Sequence, residues 1–332
     1  METEIMTWEQ QLQNCIINDT SISRKKLHLT PYMDALIKST HSVALQKQFI
    51  PNTTECTFQF TNDYLREDEY MPVLNLIHRY RNKAVIIATN QCACYCQFCT
   101  RQRITRNGEI SLDNFEKILG YIKEHPEIED ILVTGGDPLI LNTRKIVTIL
   151  QEIQKIDSVK IMRIGTRIPI TLPQRINTEL VRALKKFNNL YINIHINHPD
   201  ELTSKSKEAI LKLANSGIPL GSQSVLLKGI NDDYDILKEL FQQLIQIKVK
   251  PYYLYQCDKV KGCEDYIVDI QKGINIINKL YNQISGFAVP RFVVDTPEMG
   301  KMVLAPYSMV STDGDIFYLS NGNGQCSYTN IK

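Results

Sequence analysis

Four cysteines fall within eight residues, in the run Cys92-Ala93-Cys94-Tyr95-Cys96-Gln97-Phe98-Cys99. Three of them, Cys92, Cys96 and Cys99, have C-x3-C-x2-C spacing directly after a short apolar, β-branched run, Ala84–Thr89. Three thiolates on one loop suit a four-iron, four-sulfur (4Fe-4S) cluster and leave its fourth iron without a protein ligand. Such an open iron can chelate the amino and carboxylate groups of a small molecule. The competing reading is a zinc knuckle, but zinc motifs usually pair two ligand sets, and there is no second C-x2-C here. Cys94 is surplus to the pattern and reads as a packing residue, with a spare ligand as the alternative. A second step, Thr134-Gly135-Gly136-Asp137-Pro138, follows the next apolar run. Gly135 and Gly136 permit close backbone approach to a ligand, and Asp137 can accept from an ammonium; a plain turn is the bland alternative.

The elements that must position these residues follow a rhythm. Ala84–Thr89, Ile131–Thr134, Val159–Ile164, Leu190–Ile194, Leu220–Leu226 and Tyr252–Tyr255 read as strands. Amphipathic helices separate them. Leu112, Phe115, Leu119 and Ile122 form one face behind a Ser111 cap; Ile236, Leu237, Leu240, Phe241, Leu244 and Ile245 form another. Strand–helix alternation implies parallel βαβ units with right-handed crossovers, an α/β fold of the partial (βα)6, TIM-like barrel type. Chemistry in such barrels sits at the C-terminal ends of strands, where both motifs fall. Residues 1–81 read as an N-terminal helical region, 82–290 as the barrel and 291–332 as a C-terminal segment. Asp313-Gly314 there reads as the turn of a hairpin between Ser308–Ser311 and Ile316–Leu319.

The chain has 332 residues, 43% of them apolar, which is ample for a buried core. A net charge of +2 gives no field favouring nucleic acid or a membrane surface. Apolar runs such as Ala84–Ala88 are too short to span a bilayer. Met1–Glu4 is acidic with no apolar signal core behind it, so a cytoplasmic location is expected. Nine cysteines, an odd number with four of them clustered, do not look like a disulfide framework.

The cysteine motif, with Phe98 before its last thiol, and the Gly-Gly-Asp step resemble radical S-adenosylmethionine (SAM) proteins. The resemblance implies a radical SAM barrel in which a reduced 4Fe-4S cluster cleaves SAM to a 5′-deoxyadenosyl radical. Longer blocks are more specific. Cys99-Thr-Arg-Gln-Arg103, Arg163-Ile-Gly-Thr-Arg-Ile-Pro-Ile-Thr-Leu-Pro-Gln-Arg-Ile176, His195-Ile-Asn-His198-Pro, Gln223-Ser-Val-Leu-Leu-Lys-Gly-Ile-Asn231, Pro251-Tyr-Tyr-Leu-Tyr-Gln-Cys-Asp258 and Phe292-Val-Val-Asp295-Thr-Pro all resemble lysine 2,3-aminomutase. The likeness runs from about Trp8 to about Leu319.

That resemblance implies a second cofactor, pyridoxal 5′-phosphate (PLP), anchored to Lys301 of the Gly300-Lys301 step, so the C-terminal segment is a PLP-lysine segment. Alone, Lys301 would read as a solvated surface lysine. The run Glu298-Met299-Gly300-Lys301 departs from the family, which has a glycine run one residue longer. Arg79 matches one of the basic residues on the PLP phosphate and Lys83 stands where the family is expected to have an arginine, with a solvated face as an equal reading for both. Thr166, Arg167, His195 and Gln223 fall at strand ends and are assigned to SAM, His195 being equally a structural histidine. Arg101 aligns with the arginine on the substrate carboxylate. Asp258 and Asp295 align with the two acids that grip the distal ammonium of lysine; ordinary loop aspartates are the alternative. The implied reaction removes a hydrogen from Cβ of an amino acid, moves the α-amino group there and returns the hydrogen.

L-Lysine is the expected substrate. An arginine 2,3-aminomutase, or an enzyme acting on lysine for elongation factor P, is the alternative. A radical SAM enzyme without PLP, or an iron–sulfur sensor or scaffold, are readings of other classes. The expected partner is an electron donor such as flavodoxin or ferredoxin. Only Cys326 stands where the family's lysine enzymes carry a C-terminal zinc-binding cysteine cluster, with Asp233 near its distant partner's place. No zinc site is therefore expected, and a different or smaller homo-oligomer is compatible with that.

Overall fold

A computed structural model describes residues 6–18, 26–51, 60–105, 114–304, 309–321 and 324–329. The N-terminal region is mixed. A short hairpin, β1 (Ile16–Asn18) with β2 (Leu27–Leu29), accompanies helices at Trp8–Gln13, Pro31–Thr40 and Val43–Phe49. Leu29, Met33, Ile37, Leu45 and Phe49 form a small core whose sixth member is Cys94 of the cysteine loop. This region therefore packs directly on the loop that carries the thiols.

Nine strands make the main sheet: β3 (Leu76–Tyr80), β4 (Lys83–Thr89), β5 (Asp130–Gly135), β6 (Ile161–Thr166), β7 (Leu190–His195), β8 (Leu220–Leu226), β9 (Lys250–Gln256), β10 (Arg291–Thr296) and β11 (Gly300–Val303). From β4 to β10 every neighbouring pair is parallel. β3 and β11 close the two edges antiparallel and do not pair with each other. The result is an open, partial barrel. One face of its strands is closed off: Ile86, Ile131, Val133, Met162, Ile164 and Ile192 are fully enclosed, while Val85, Leu132, Arg163 and Asn193 at alternate positions line the cavity.

The six expected strands are all present, with two differences. β6 begins at Ile161, because Val159 is buried in the turn before it, its N–H bonded to Ile156 O at 3.0 Å. β10 adds a seventh parallel strand, with Phe292 and Val293 in the core. The helical faces agree broadly. Tyr234–Gln246 buries Leu237, Leu240, Phe241 and Leu244, while Ile236 and Ile245 flank that stripe half-buried. Each such side chain contributes about 1.5–3 kcal/mol by leaving water. Phe115–Glu124 buries Ile118 and Ile122, so its core stripe is centred one residue from the expected one. It starts at Asn114 with no side-chain cap; Ser111 and Leu112 lie outside the described residues.

β12 (Met309–Asp313), β13 (Ile316–Asn321) and β14 (Gly324–Thr329) form a separate antiparallel sheet, with Gly314 at φ 56° in the expected hairpin turn. Among the described residues no helix is long and apolar enough to cross a membrane.

Candidate active site

The cysteine loop leaves the C-terminal end of β4 and meets the C-terminal end of β5. Gly136 N–H donates to Thr89 O at 2.6 Å and Asp137 N–H to Gln91 O at 2.7 Å. A Cβ on Gly136 would lie 2.1 Å from Gln91 O, and one on Gly135, at φ 127°, would lie 2.3 Å from Thr89 O. No real side chain tolerates such distances, so both glycines are required by the approach of two backbones. The sequence reading assigned that freedom to a ligand; the first demand on it comes from the loop.

Asp137 is 5% exposed. Its carboxylate accepts from Leu139 N–H at 3.1 Å, Thr166 Oγ1 at 2.7 Å and Arg167 N–H at 2.6 Å. It ties the ends of β5 and β6 together, and these bonds use much of the accepting capacity expected to face SAM. Burial pushes its carboxyl up to about 6, against the pull of the three donors.

Cys92, Cys96 and Cys99 line one cavity of about 420 Å³, together with Gly135, Gly136, Thr166, Arg167, His195 and Gln223. Burial, and then the charges of Cys99, Asp137 and Cys96, raise the Cys92 thiol well above its ordinary value, so these thiols are mutual neighbours. Among the described residues no three His, Cys, Asp or Glu groups converge tightly enough for a single metal ion. Thiols around a shared volume fit a multi-iron cluster better than a zinc knuckle. Cys94 stays with the packing: its sulfur accepts from Thr30 N–H at 3.4 Å inside the N-terminal core. His195 is pulled down to about 3 by burial and then by the Arg167 charge, so the ring is neutral. Its Nε2 lies 3.1 Å from Asn197 Oδ1.

The same cavity reaches Arg79, Lys83, Arg101, Asp258, Asp295 and Lys301. Residues from both ends of the chain thus share one space. β10 and β11 place Asp295 opposite Lys301 in register, and Lys301 Nζ lies 2.9 and 2.8 Å from the two Asp295 oxygens. The ammonium stands over the Tyr255 ring, 4.2 Å from its centre, a cation–π contact. Lys301 N–H donates to Tyr80 Oη at 3.0 Å. Gly300, at φ 71°, lets the chain turn there, where a Cβ would meet Tyr80 Oη at 2.8 Å. Asp258 is pushed up to about 7, by burial first and by the Asp295 charge second.

Two expected binders are engaged elsewhere. Arg101 holds Glu67 through Nε at 3.1 and 3.2 Å and Nη2 at 2.7 Å. A substrate carboxylate must share or displace that pair. Arg79 Nη2 donates to the carbonyls of Thr296 and Pro297 at 2.5 and 2.7 Å, which tethers the β10–β11 turn; Lys83 Nζ sits over the Tyr80 ring at 4.5 Å. Asp233 caps the helix Tyr234–Gln246 through Asp235 N–H at 2.8 Å. The sequence reading missed Glu67, Tyr80 and Tyr255. It also missed Asp130, whose Oδ1 accepts from Arg163 Nε at 2.8 Å on the cavity wall. Arg163 and Tyr255 lay inside quoted blocks, but nothing in their spacing marked them out.

Residues 86–240 match the family model of the Radical SAM superfamily. The chain is 41% identical over 305 residues to an L-lysine 2,3-aminomutase of Methanococcus maripaludis, covering 90% of this chain and 70% of that protein. It is 40% identical over 266 residues to a glutamate 2,3-aminomutase of Clostridioides difficile, covering 79% of this chain and 63% of that one. Among solved structures it resembles Streptococcus suis SuiB at a TM-score of 0.50 and 16% identity, over 67% of this chain and 50% of that chain, a likeness of fold alone. The superfamily runs on a 4Fe-4S cluster and SAM, and this chain belongs to the lysine 2,3-aminomutase family of radical SAM enzymes.

Proposed function

We propose that the protein moves the α-amino group of L-lysine to Cβ, giving β-lysine, with the cluster held by Cys92, Cys96 and Cys99 and PLP anchored by Lys301. The observation that carries this reading is the shared cavity. Three thiols at one end, and a lysine ammonium gripped by Asp295 beside Asp258 at the other, open into one volume. Overall similarity does not choose between the lysine- and glutamate-named relatives. Charge does: two acids around one cation, backed by the Tyr255 ring, select a cationic side chain and repel a carboxylate.

When bound, the reduced cluster and SAM supply a 5′-deoxyadenosyl radical, and PLP supplies stabilisation of the substrate radical. The chain's own residues supply position. Gly135 and Gly136 leave the floor beside the thiols free of side-chain bulk. Asp137 and Thr166 fix the strand ends on either side of it. Tyr80 and Gly300 set the height of Lys301 above the barrel mouth. Lys301 Nζ occupies the place by Asp295 that a substrate ammonium would take, so moving it to PLP frees that carboxylate. Arg101 then meets the substrate carboxylate in competition with Glu67. Enclosing the reacting groups excludes water and other hydrogen donors. The division into residues 1–81, 82–290 and 291–332 is proposed in the same spirit, with β10–β11 serving the barrel. An electron donor such as flavodoxin or ferredoxin would deliver the electron.

The test is anaerobic reconstitution with iron, sulfide and PLP, then SAM and dithionite, with lysine, arginine, glutamate and ornithine in parallel. β-Lysine by chromatography and mass spectrometry is expected, and Lys301→Ala should lose the PLP absorbance band. β-Arginine alone would move the substrate. Deoxyadenosine without any β-amino acid would remove the aminomutase reading.

A further inference from the structure

Arg167 is anchored far more heavily than a residue that merely contacts a diffusible ligand. Its side chain is 7% exposed. Nη2 donates to Gln48 Oε1 at 2.6 Å and to Glu201 Oε2 at 2.9 Å, while Nη1 donates to Cys96 Sγ at 2.8 Å. The guanidinium also lies over the Phe49 ring, 4.4 Å from its centre. Its partners are themselves fixed. Gln48 Nε2 donates to Glu201 Oε1 at 3.1 Å, and Gln48 Oε1 accepts from Asn197 Nδ2 at 3.0 Å. Glu201 Oε1 accepts from the N–H groups of Asn197 and His198, both at 2.9 Å. The fork cannot swing away from the sulfur without breaking this buried network. Its arrangement is also polar: Cys96 meets Nη1, and Glu201 meets Nη2, so the sulfur faces the cation with the anion behind it.

We propose that Arg167 sets the reduction potential of the cluster, its charge and its N–H···S hydrogen bond to Cys96 favouring the reduced state. This rests on the reading of Cys96 as a cluster ligand. The reduction is a one-electron step: an oxidised [4Fe-4S]2+ core takes an electron from a low-potential one-electron donor and becomes [4Fe-4S]1+, with no bond made or broken and no proton moved. The added negative charge spreads over the core and its thiolates. A buried cation against one of those sulfurs stabilises the reduced form more than the oxidised one. Arg167 is thus a positioning and tuning residue for the electron that starts the reaction.

Arg167→Gln and Arg167→Lys are to be reconstituted anaerobically with iron and sulfide. Iron and sulfide content and the spectrum of the reduced cluster come first, then a potentiometric titration followed by electron paramagnetic resonance, without SAM. In Arg167→Gln the reduced-to-oxidised ratio at a fixed potential should fall at least tenfold, which is 59 mV for one electron. Arg167→Lys, which keeps the charge on a different stem, should shift the midpoint less and in the same direction. A full cluster with an unchanged midpoint in Arg167→Gln overturns the proposal. If Arg167→Gln fails to fold, Arg167→Lys decides: a lowered midpoint supports the proposal and an unmoved one overturns it. Cys96→Ala tests the underlying reading separately. Loss of cluster in a folded Cys96→Ala protein supports it, whereas full retention removes Cys96 as a ligand and the proposal with it.

Discussion

Asp258 is the residue whose surroundings make the sharpest demand. Its carboxyl shares the cavity with Asp295, and burial with that like charge raises it to about 7. An unfolded aspartate titrates near 3.9, so between about pH 4 and 7 the folded protein holds a proton that the unfolded chain has lost. A raised folded value means stability that is present at low pH and lost as pH rises through the folded value. The ligand-free protein should therefore lose stability across that window, and the loss should level off above about pH 7. Asp258→Asn removes this part of the dependence. Thermal melts from pH 5 to 8 should show the variant gaining on the native chain as pH rises, with the difference flattening near pH 7. Parallel curves for the two proteins would mean that Asp258 is ionised in the fold at every pH tested. A cation bound between Asp258 and Asp295 would draw the proton off, so added lysine should narrow the difference. Asp137, raised to about 6 by burial, acts in the same direction but is common to both proteins.

At the scale of elements, the critical contact joins the end of β5 to the cysteine loop; Gly136 tests it, and the helical Gly120 is a control of opposite sign. Gly136→Ala puts a methyl 2.1 Å from Gln91 O, so strand and loop must part, at about 1–3 kcal/mol of destabilisation typical of overpacking. Gly120→Ala, within the helix Phe115–Glu124, meets nothing within 4 Å and should stabilise by about 0.5–1 kcal/mol through helix propensity. Urea unfolding of the cluster-free protein measures both, and a neutral Gly136→Ala would show that the loop moves freely from β5. The Gly-Gly step was legible because its residue types are unusual at a strand end; its purpose was not, because Gln91 O is a backbone atom of another segment. Strands β4 to β9 were legible for a related reason. Short runs rich in β-branched, aliphatic and aromatic residues recur at regular spacing, and helical stripes separate them. β3 and β10 carry Arg and Tyr or Asp and Thr at their ends, which dilutes the run, and β11 is a short edge. The three cysteines were visible as types at fixed spacing, whereas Arg101, Asp258, Asp295 and Lys301 were visible only through the family resemblance. Their partners were not: Arg101–Glu67 and Arg167–Gln48 span 34 and 119 positions, and no local pattern encodes such pairs.

The whole molecule places its chemistry between segments distant in sequence, and this bears on where the catalytic unit stops. Asp295 and Lys301 belong to the barrel sheet: β10 pairs with β9, β11 pairs with β10, and Phe292 and Val293 lie in the main core. Arg79, from β3 at the opposite edge of the same sheet, donates to the carbonyls that link them. The two edges of the open barrel are thus tied by the Arg79 guanidinium and by the bond from Lys301 N–H to Tyr80 Oη, and β10–β11 cannot be detached without opening the site. The sheet β12–β14 stands differently. Its strands hydrogen-bond with one another, and β14 is exposed along its length. A chain ending at Leu304 should therefore fold cooperatively and hold a reconstituted cluster. A chain ending at Pro290 loses β10 and β11, leaves β9 as an exposed edge, and should lose both cooperativity and PLP binding. Circular dichroism melts together with iron and sulfide content decide the comparison. Retention by the longer truncation and collapse of the shorter would move the boundary of the catalytic unit from residue 290 to about 304. Collapse of both would mean that β12–β14 is needed to cover the barrel, either within the chain or against a second copy. Arg79→Ala in the full chain separates the tether from strand pairing. It should leave the melt nearly unchanged, because β10 stays paired with β9. It should weaken PLP retention, because the β10–β11 turn loses its guanidinium and is held to β3 only through Lys301 N–H and Tyr80 Oη.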